Sequence, residues 1–552
     1  MPNQYVVPAI VAVTLLTVAI GFYGLKLART TSDFLVASRT VSPTWNAAAI
    51  GGEYLSAASF LGIAGLILRD GVDMLWYPVG FAAGYLALLL FVAAPLRRSG
   101  AFTLPDFCEV RLGSRRLRAL ATVFVIFIGW FYLVPQLQGA GLTLQTVTGA
   151  AYPVGALVVA GVVIANVALG GMRAITLVQA FQYWLKLTAL AVPAIFLALQ
   201  WQADARPPVT PLDGPVFRTE TTVVVSDAAT LTLPDGRTRE VRPGDELSFA
   251  AGDPVPGVSG AATDAAGWLL PNGAGDGDGA LFGTYSLILA TFLGTMGLPH
   301  VLVRFYTNPD GAAARRTTLV VLALVGAFYL LPTVYGVLGR IYTPQLLVTG
   351  QTDAVVVLLP GAALGDGTTG RLLTALVSAG AFAAFLSTSS GLLTSVAGVI
   401  STDVLGDGSV RSFRLATVIA GVVPAVLALN VSGLDISQVV GLAFAVAASS
   451  FCPLLVLGIW WRGLTDLGAA AGVLAGGGAA VGAVLVTVLG PPLTGWPAAL
   501  TAQPAAWTVP LAFTVMIAVS LATRRRVPVD VGSTMLRLHA PDALRLPGKA
   551  TV

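Results

Sequence analysis

The stretch Trp45-Asn46-Ala47-Ala48-Ala49-Ile50-Gly51-Gly52-Glu53-Tyr54-Leu55-Ser56-Ala57-Ala58-Ser59-Phe60-Leu61-Gly62-Ile63-Ala64-Gly65 decides how the rest of this chain is read. It is long enough to cross a bilayer, for which about twenty apolar residues suffice. Yet its centre carries Gly51, Gly52 and Glu53, residues that weaken a helix and resist transfer into hydrocarbon. Backbone released from helical pairing at membrane depth survives only where protein surrounds it or a wet cavity meets it, so the interruption points to a binding site.

The surrounding composition agrees. Of 552 residues, 56% are hydrophobic and 11% charged, far from the roughly one quarter charged of soluble domains. The chain reads as an integral membrane protein. Its formal charge of +4 calls for no nucleic-acid partner. Cys108 and Cys452 are far apart and make neither a disulfide framework nor a zinc pattern.

Apolar runs near 5–27, 45–67, 75–96, 119–147, 152–170, 176–199, 281–305, 317–339, 372–401, 413–432, 437–460, 464–490 and 506–523 predict about thirteen membrane helices. The first lacks a positive leading segment and a small-residue cleavage site, and Lys26 and Arg29 follow it. It is expected to be retained, with the N-terminus outside. The connections that then face the cytoplasm hold Lys26, Arg29, Arg39, Arg97, Arg98, Arg111, Arg115, Arg116, Arg118, Arg173, Arg304, Arg315, Arg316, Arg411, Arg414, Arg462 and the tail beginning Arg524-Arg525-Arg526. The opposite short loops hold Arg69, Arg340 and Arg371. That asymmetry follows the positive-inside rule.

One connection differs. From Trp201 to Gly279 the chain turns polar and rich in Gly, Pro and Asp, with β-prone runs at Thr221-Thr222-Val223-Val224-Val225 and Thr230-Leu231-Thr232-Leu233 before the turn Pro234-Asp235-Gly236. Twelve acidic against five basic residues leave it at −7. A small external β-rich insertion is expected, with no chemistry of its own.

A second interruption sits in helix seven, Thr291-Phe292-Leu293-Gly294-Thr295-Met296-Gly297-Leu298-Pro299-His300. Pro299 suits the first turn of a new half-helix, because its missing N–H would be unpaired there anyway. Helices two and seven are an odd number apart and cross in opposite directions, as an inverted repeat of five helices requires. Small residues can also simply let helices approach closely. In helix nine, Ala384, Ser387 and Thr388 are spaced i, i+3, i+4 and offer a carbonyl and two hydroxyls on one face. Such oxygens suit a hard cation, although hydroxyls in membrane helices also bond back to their own i−4 carbonyls. Depth favours the cation. Gly52 to Leu55 lies roughly 15 Å from the inner start of helix two and Thr388 about 22 Å from Asp403, so both fall near mid-membrane.

These residues resemble the sodium:solute symporters, and within that family the acetate, or short-chain monocarboxylate, permeases. The resemblance is carried by Asp33-Phe34-Leu35-Val36-Ala37-Ser38-Arg39, Phe102-Thr103-Leu104-Pro105-Asp106-Phe107, Gly170-Gly171-Met172-Arg173-Ala174 and Leu298-Pro299-His300-Val301-Leu302-Val303-Arg304-Phe305, in that order. It implies an all-α membrane protein with a five-plus-five inverted-repeat core of the LeuT type. The expected parts are an extra N-terminal helix (1–28), a first repeat (44–200), the insertion (201–279), a second repeat (280–460), two further helices (461–523) and a cytoplasmic tail (524–552). By position, the family's sodium site falls on the backbone of Gly52, Leu55 and Ala384 and the hydroxyls of Ser387 and Thr388. Its substrate cavity falls on Tyr54, Ser59, Thr291, Thr295 and Pro299. Where many members have an aspartate in helix six, this chain reads Thr176-Leu177-Val178-Gln179, which leaves open whether Na⁺ or H⁺ is coupled.

Glu53 is expected to be protonated, paired or wet at its depth. Proton coupling and packing as a neutral acid are both open, and Lys186, about ten residues into helix six, is a candidate partner. No mid-membrane arginine is expected, and a small carboxylate would be held by the positive ends of half-helices. His300 and Arg304, toward the inner end of helix seven, are expected to be structural or gating, as is Gln179. No nucleophile–base or metalloprotease pattern occurs, so no enzyme is expected. The function expected is uptake of acetate, propionate or pyruvate through the plasma membrane with inward flow of Na⁺, or of H⁺, as a multi-pass protein whose partners are its solute and the lipid bilayer. Alternatives are another solute, such as proline or a sugar, on the same fold, or a transporter-like sensor. The tail of about thirty residues after Arg524 is too short for an output domain.

Overall fold

The computed structural model describes all residues except 1–2, 26–36, 38–39, 210–213, 227, 264, 271–278, 366, 407, 431–435, 492, 542–543 and 545–552. The first of the four family-like motifs, apart from Ala37, therefore lies outside the described residues. Among the described residues, eleven helices are long and apolar enough to cross a membrane, twelve with one bent pair counted as a single span. Two of the expected helices, 152–170 and 176–199, fall in one run, Tyr152–Ala203, in which Gly171 takes φ 56° and ψ −164°. At 1.5 Å per residue this run would measure about 78 Å, more than twice a hydrocarbon core, so the chain changes direction at Gly171. A left-handed φ there costs glycine nothing.

The bent pair is the stretch that opens the sequence argument. Pro43–Tyr54 ends in a C-cap at Leu55, the chain resumes as Ala58–Asp70, and the two axes differ by 73°. Gln136 Oε1 accepts the freed backbone N–H of Ala57 at 2.9 Å. The second interruption is milder. Helix Gly279–Gly297 gives way to Pro299–Val303 through the single extended residue Leu298, with Pro299 in the first turn as expected, and Gly279–Thr307 counts as one span. Among the described residues only the first break bends by more than 40°.

Helices Thr368–Val399 and Ile436–Trp460 are buried along almost their whole length, whereas Val6–Leu25 and Ala505–Ala522 expose one apolar side. Exposed Leu330, Leu90 and Leu485 mark faces that would meet lipid. The motif Phe102–Phe107 starts a short helix, Leu104–Leu112. Thr103 Oγ1 accepts from Asp106 N at 3.2 Å, capping the helix start, and Asp106 Oδ2 accepts from Phe102 N, the residue before that cap, at 2.8 Å. Arg118 ties this helix to the far end of helix nine, donating to Glu109 at 2.7 Å and Asp403 at 2.6 Å.

Within the insertion, Thr221–Val224 pairs antiparallel with Glu246–Phe249, while Ala229–Thr232 pairs with Thr238–Val241 and Gly257–Val258. Buried Val223 faces buried Leu247 across the first pair. Gly236, at φ 80°, closes the Pro234-Asp235-Gly236 turn. Arg340, counted from sequence among loop arginines, is buried and holds this unit, donating to Ala262 O at 2.9 Å and Thr263 O at 2.8 Å.

Candidate functional site

The first break leaves the C-terminal carbonyls of Pro43–Tyr54 without helical partners, and their dipoles concentrate negative charge at mid-span. Gly52 is needed there, because a Cβ on it would run into the backbone carbonyl of Gln179. With no side chain at Gly52, helix six lies directly against the break. Helix nine closes the other side: Ser387 Oγ donates to Gly52 O at 2.7 Å and lies 3.1 Å from Ala384 O, and Thr388 Oγ1 donates to Glu53 O at 2.5 Å. Four of the five residues expected around a cation, Gly52, Ala384, Ser387 and Thr388, are thus brought together.

A side chain of the protein already stands among them. Lys186 Nζ, fully buried, donates to Gly52 O, to Leu55 O at 2.8 Å and to Ser387 Oγ at 2.8 Å. Lys186 was expected at this depth with Glu53 as its candidate partner, but its hydrogen bonds go to this oxygen cradle. Glu53 instead accepts from Arg304 Nε at 2.5 Å. Arg304 was counted from sequence with the inner loops, and no mid-membrane arginine was expected. The structure buries it completely and turns its guanidinium inward, donating to Thr176 Oγ1 at 2.8 Å and to Gln179 Oε1. Gln179 completes the cluster by donating to Ser387 O at 2.7 Å. The Thr176 and Gln179 side chains that stand near the family's aspartate position are therefore acceptors for an arginine. Gly391 leaves the room for the Glu53 carboxyl, which a Cβ at that position would strike.

The residues expected around solute separate into two groups. Tyr54 Oη lies 2.9 Å from Thr295 Oγ1, whose own proton goes to Thr291 O at 2.7 Å. The Tyr54 ring meets Tyr85 and Phe81 edge-on, with centroids 4.7 Å and 5.8 Å away. Phe81 stacks on Tyr329, whose hydroxyl lies 3.0 Å from Ser59 Oγ. Tyr54, Ser59 and Thr295 therefore border one aromatic box, and Thr291 sits a turn away against Gly80. Pro299 does not join it. It lines a cleft with Phe102, Val125, Met172 and Ser395, toward the Leu104–Leu112 helix. His300 is buried beside Tyr132, ring centroids 5.4 Å apart, with neither ring nitrogen hydrogen-bonded. Among the described residues no group of three or more His, Cys, Asp and Glu could hold a metal ion.

A family model for the sodium:solute symporter family matches residues 34–203 and 279–476. The chain belongs to the sodium:solute symporter family. Its members are transporters, not enzymes, and this symporter is a multi-pass membrane protein. The unmatched middle, 204–278, is nearly the whole of the insertion. A protein named monocarboxylic acid transporter, from Corynebacterium glutamicum, is 32% identical over 525 residues, covering 89% of this chain and 86% of its own. An uncharacterized symporter of Bacillus subtilis, YwcA, is 31% identical over 481 residues, 84% of this chain and 83% of its own. Two solved structures share the LeuT-type fold. A Na⁺-coupled sialic acid symporter, substrate-bound and outward-open, superposes with a TM-score of 0.62 at 15% identity, covering 93% of this chain and 98% of that one. Mhp1, a nucleobase-cation-symport-1 family transporter in a closed conformation, does so at 0.52 and 12%, covering 91% and 98%.

Lys186 in the cradle and the Glu53–Arg304 pair were missed as contacts. The signal available was an intramembrane lysine on the same helix that lacks the family's aspartate.

Proposed function

We propose that this symporter couples inward flow of a cation to uptake of a small monocarboxylate such as acetate, propionate or pyruvate by alternating access. The observation that carries the solute is the 32% identity, over 89% of the chain, to a monocarboxylic acid transporter. The cation expected from the family is Na⁺. The cradle of Gly52, Leu55, Ala384, Ser387 and Thr388 is the proposed cation site, and the box bordered by Tyr54, Ser59, Thr291 and Thr295 the proposed solute site, with Pro299 on the inner exit. The parts 44–200 and 280–460 are proposed as the two repeats. The N-terminus and the insertion are placed outside the plasma membrane and the tail inside, on the distribution of Lys and Arg.

The mechanism is linkage. Cradle residues come from both the first broken span and helix nine, so a cation that joins them stabilises one arrangement of the two. If that arrangement also binds solute, each ligand raises the other's affinity by the same factor, commonly worth about 1–3 kcal/mol. The test is exchange of radiolabelled pyruvate, competed by acetate, propionate, proline and glucose, in vesicles containing the purified protein. Competition by the carboxylates alone is expected. Competition by proline or glucose, with none by carboxylates, would overturn the solute assignment.

A further inference from the structure

The hydroxyls expected from sequence to meet solute are already engaged. Tyr54 Oη lies 2.9 Å from Thr295 Oγ1, which itself donates to Thr291 O. Thr291 Oγ1 donates to Leu287 O at 2.8 Å, and Ser59 Oγ is paired with Tyr329 Oη at 3.0 Å. Tyr85 differs. Its side chain is fully buried, and its hydroxyl has no hydrogen-bond partner among the described residues.

Helix three, Val72–Arg98, sets where Tyr85 stands. Two glycines one turn apart press this helix onto the second interrupted span: a Cβ on Gly80 would strike Thr291 Oγ1, and one on Gly84 would strike the Thr295 side chain. Phe81 and Tyr85, each the next residue along, are spaced i, i+4 and so share a face. Phe81 packs against Tyr54, Tyr329 and Phe444, with ring centroids 5.8 Å, 5.8 Å and 4.8 Å away. Tyr85 meets the Tyr54 ring edge-on at 4.7 Å. It therefore belongs to the wall of the aromatic box, with the first interrupted span as its neighbour.

A buried hydroxyl without a partner destabilises the fold, and native structures keep one only for a reason. Among the described residues the box holds no cationic side chain, since Lys186 is bonded in the cradle and Arg304 to Glu53 and Thr176. An anion admitted there must be met by neutral donors. A hydroxyl makes its strongest bond to a charged acceptor such as a carboxylate. We propose that Tyr85 is the residue that recognises the charge of the solute, its hydroxyl donating to a carboxylate oxygen while the rings of Tyr54, Phe81 and Phe444 border the apolar end. This rests on the monocarboxylate reading above and adds the donor that selects the carboxylate. A neutral solute of the same size forfeits the charge-assisted bond and leaves the phenol unpaired.

The test is Tyr85→Phe in the full-length protein, which removes the hydroxyl and keeps the ring. In vesicles exchanging radiolabelled pyruvate, KM is expected to rise at least tenfold, the equivalent of about 1.4 kcal/mol. Thermal unfolding of the purified protein separates this from a structural role. Without pyruvate the variant is expected to unfold at a temperature no lower than wild type, because the lost hydroxyl holds nothing in the protein. The rise in Tm that saturating pyruvate gives the wild type, a consequence of binding to the folded state alone, is expected to shrink at equal pyruvate concentration. An unchanged KM overturns the proposal. So does a Tm lowered in the absence of pyruvate, or a variant that fails to fold, since the hydroxyl would then be a structural one. Absence of pyruvate exchange by the wild type is a separate result, which overturns the solute reading and with it the carboxylate assigned to Tyr85.

Discussion

Arg304 Nε donates to Glu53 Oε2 at 2.5 Å, joining the two interrupted spans through an ion pair that neither partner shares with solvent. Removing one member of such a pair leaves a buried charge without compensation, which typically costs about 3–5 kcal/mol. Glu53→Ala is therefore expected to lower stability by that order. Replacing both residues with methionine should recover most of the loss. Thermal unfolding of the purified variants checks this, and a Glu53→Ala protein as stable as wild type would show that the pair contributes nothing.

The hydroxyls of helix nine act on the opposite side of the break. Ser387 Oγ accepts from Lys186 and donates to Gly52 O, and Thr388 Oγ1 donates to Glu53 O. Leaving buried partners unsatisfied costs about 1–3 kcal/mol each, and each 1.4 kcal/mol is tenfold in an equilibrium constant. Ser387→Ala with Thr388→Ala should raise the concentration of driving ion needed for half-maximal uptake by roughly tenfold or more, with surface expression reduced far less. Unchanged ion dependence in a pH and Na⁺ titration of pyruvate uptake would refute the cradle assignment.

At Gly52 the first broken span lies directly against the backbone of helix six. A methyl group there would meet the carbonyl of Gln179, which is backbone and cannot swing aside. Overpacking of this kind costs about 1–3 kcal/mol and shifts the backbone. Gly52→Ala is expected to abolish uptake while leaving the protein in the membrane. Full activity of this variant, measured as pyruvate exchange, would mean that the two elements are not in contact as described.

How far these contacts could be read in advance differs residue by residue. The break at Leu298-Pro299 was legible because proline writes backbone geometry directly into sequence, whereas the first break falls at Leu55–Ala57, about a turn after Gly51 and Gly52, which stay helical and signalled it without placing it. The hydroxyl face of helix nine was legible because i, i+3, i+4 spacing fixes a face. The depth of Lys186 followed from counting residues, but its direction did not. That depends on how helix six is rotated after Gly171 and on the absence of a side chain at Gly52, both tertiary facts. Arg304 was misread for a related reason. Position near a span's end suggested the interface, whereas Thr176, Gln179 and Glu53, from two other spans, supply acceptors that draw the guanidinium inward.

In the aromatic box, the Tyr54 and Thr295 hydroxyls are 2.9 Å apart and link the first interrupted span to the second. A net hydrogen bond of this kind is worth about 0.5–1.5 kcal/mol. Tyr54→Phe keeps the ring packing against Tyr85 and Phe81 and should raise KM for pyruvate by roughly two- to tenfold. A KM indistinguishable from wild type would place the solute elsewhere.

The insertion is attached to the second half of the first broken span through buried Trp268 and to the helix Gly311–Tyr342 through buried Arg340. Trp268 Nε1 donates to Ile67 O at 2.7 Å, and the Arg340 guanidinium lies 4.9 Å over the Trp268 ring while donating to Ala262 O and Thr263 O. Ile67 O also accepts from Gly71 N at the end of that half-helix, so the indole adds a second donor to a helix terminus. Arg340→Ala removes the cation–π contact and leaves two carbonyls without their donor, at a cost of about 1–3 kcal/mol or more. Because the contacts of Arg340 lie in the insertion and at its seam with helix eight, the loss should be local. Amide hydrogen exchange over 215–268 is expected to quicken by roughly tenfold or more, with exchange in helices six and nine unchanged. Equal protection of the insertion in both proteins would mean that it is held by its sheets and by the Asp204–Arg218 contact at 2.7 Å rather than by Arg340.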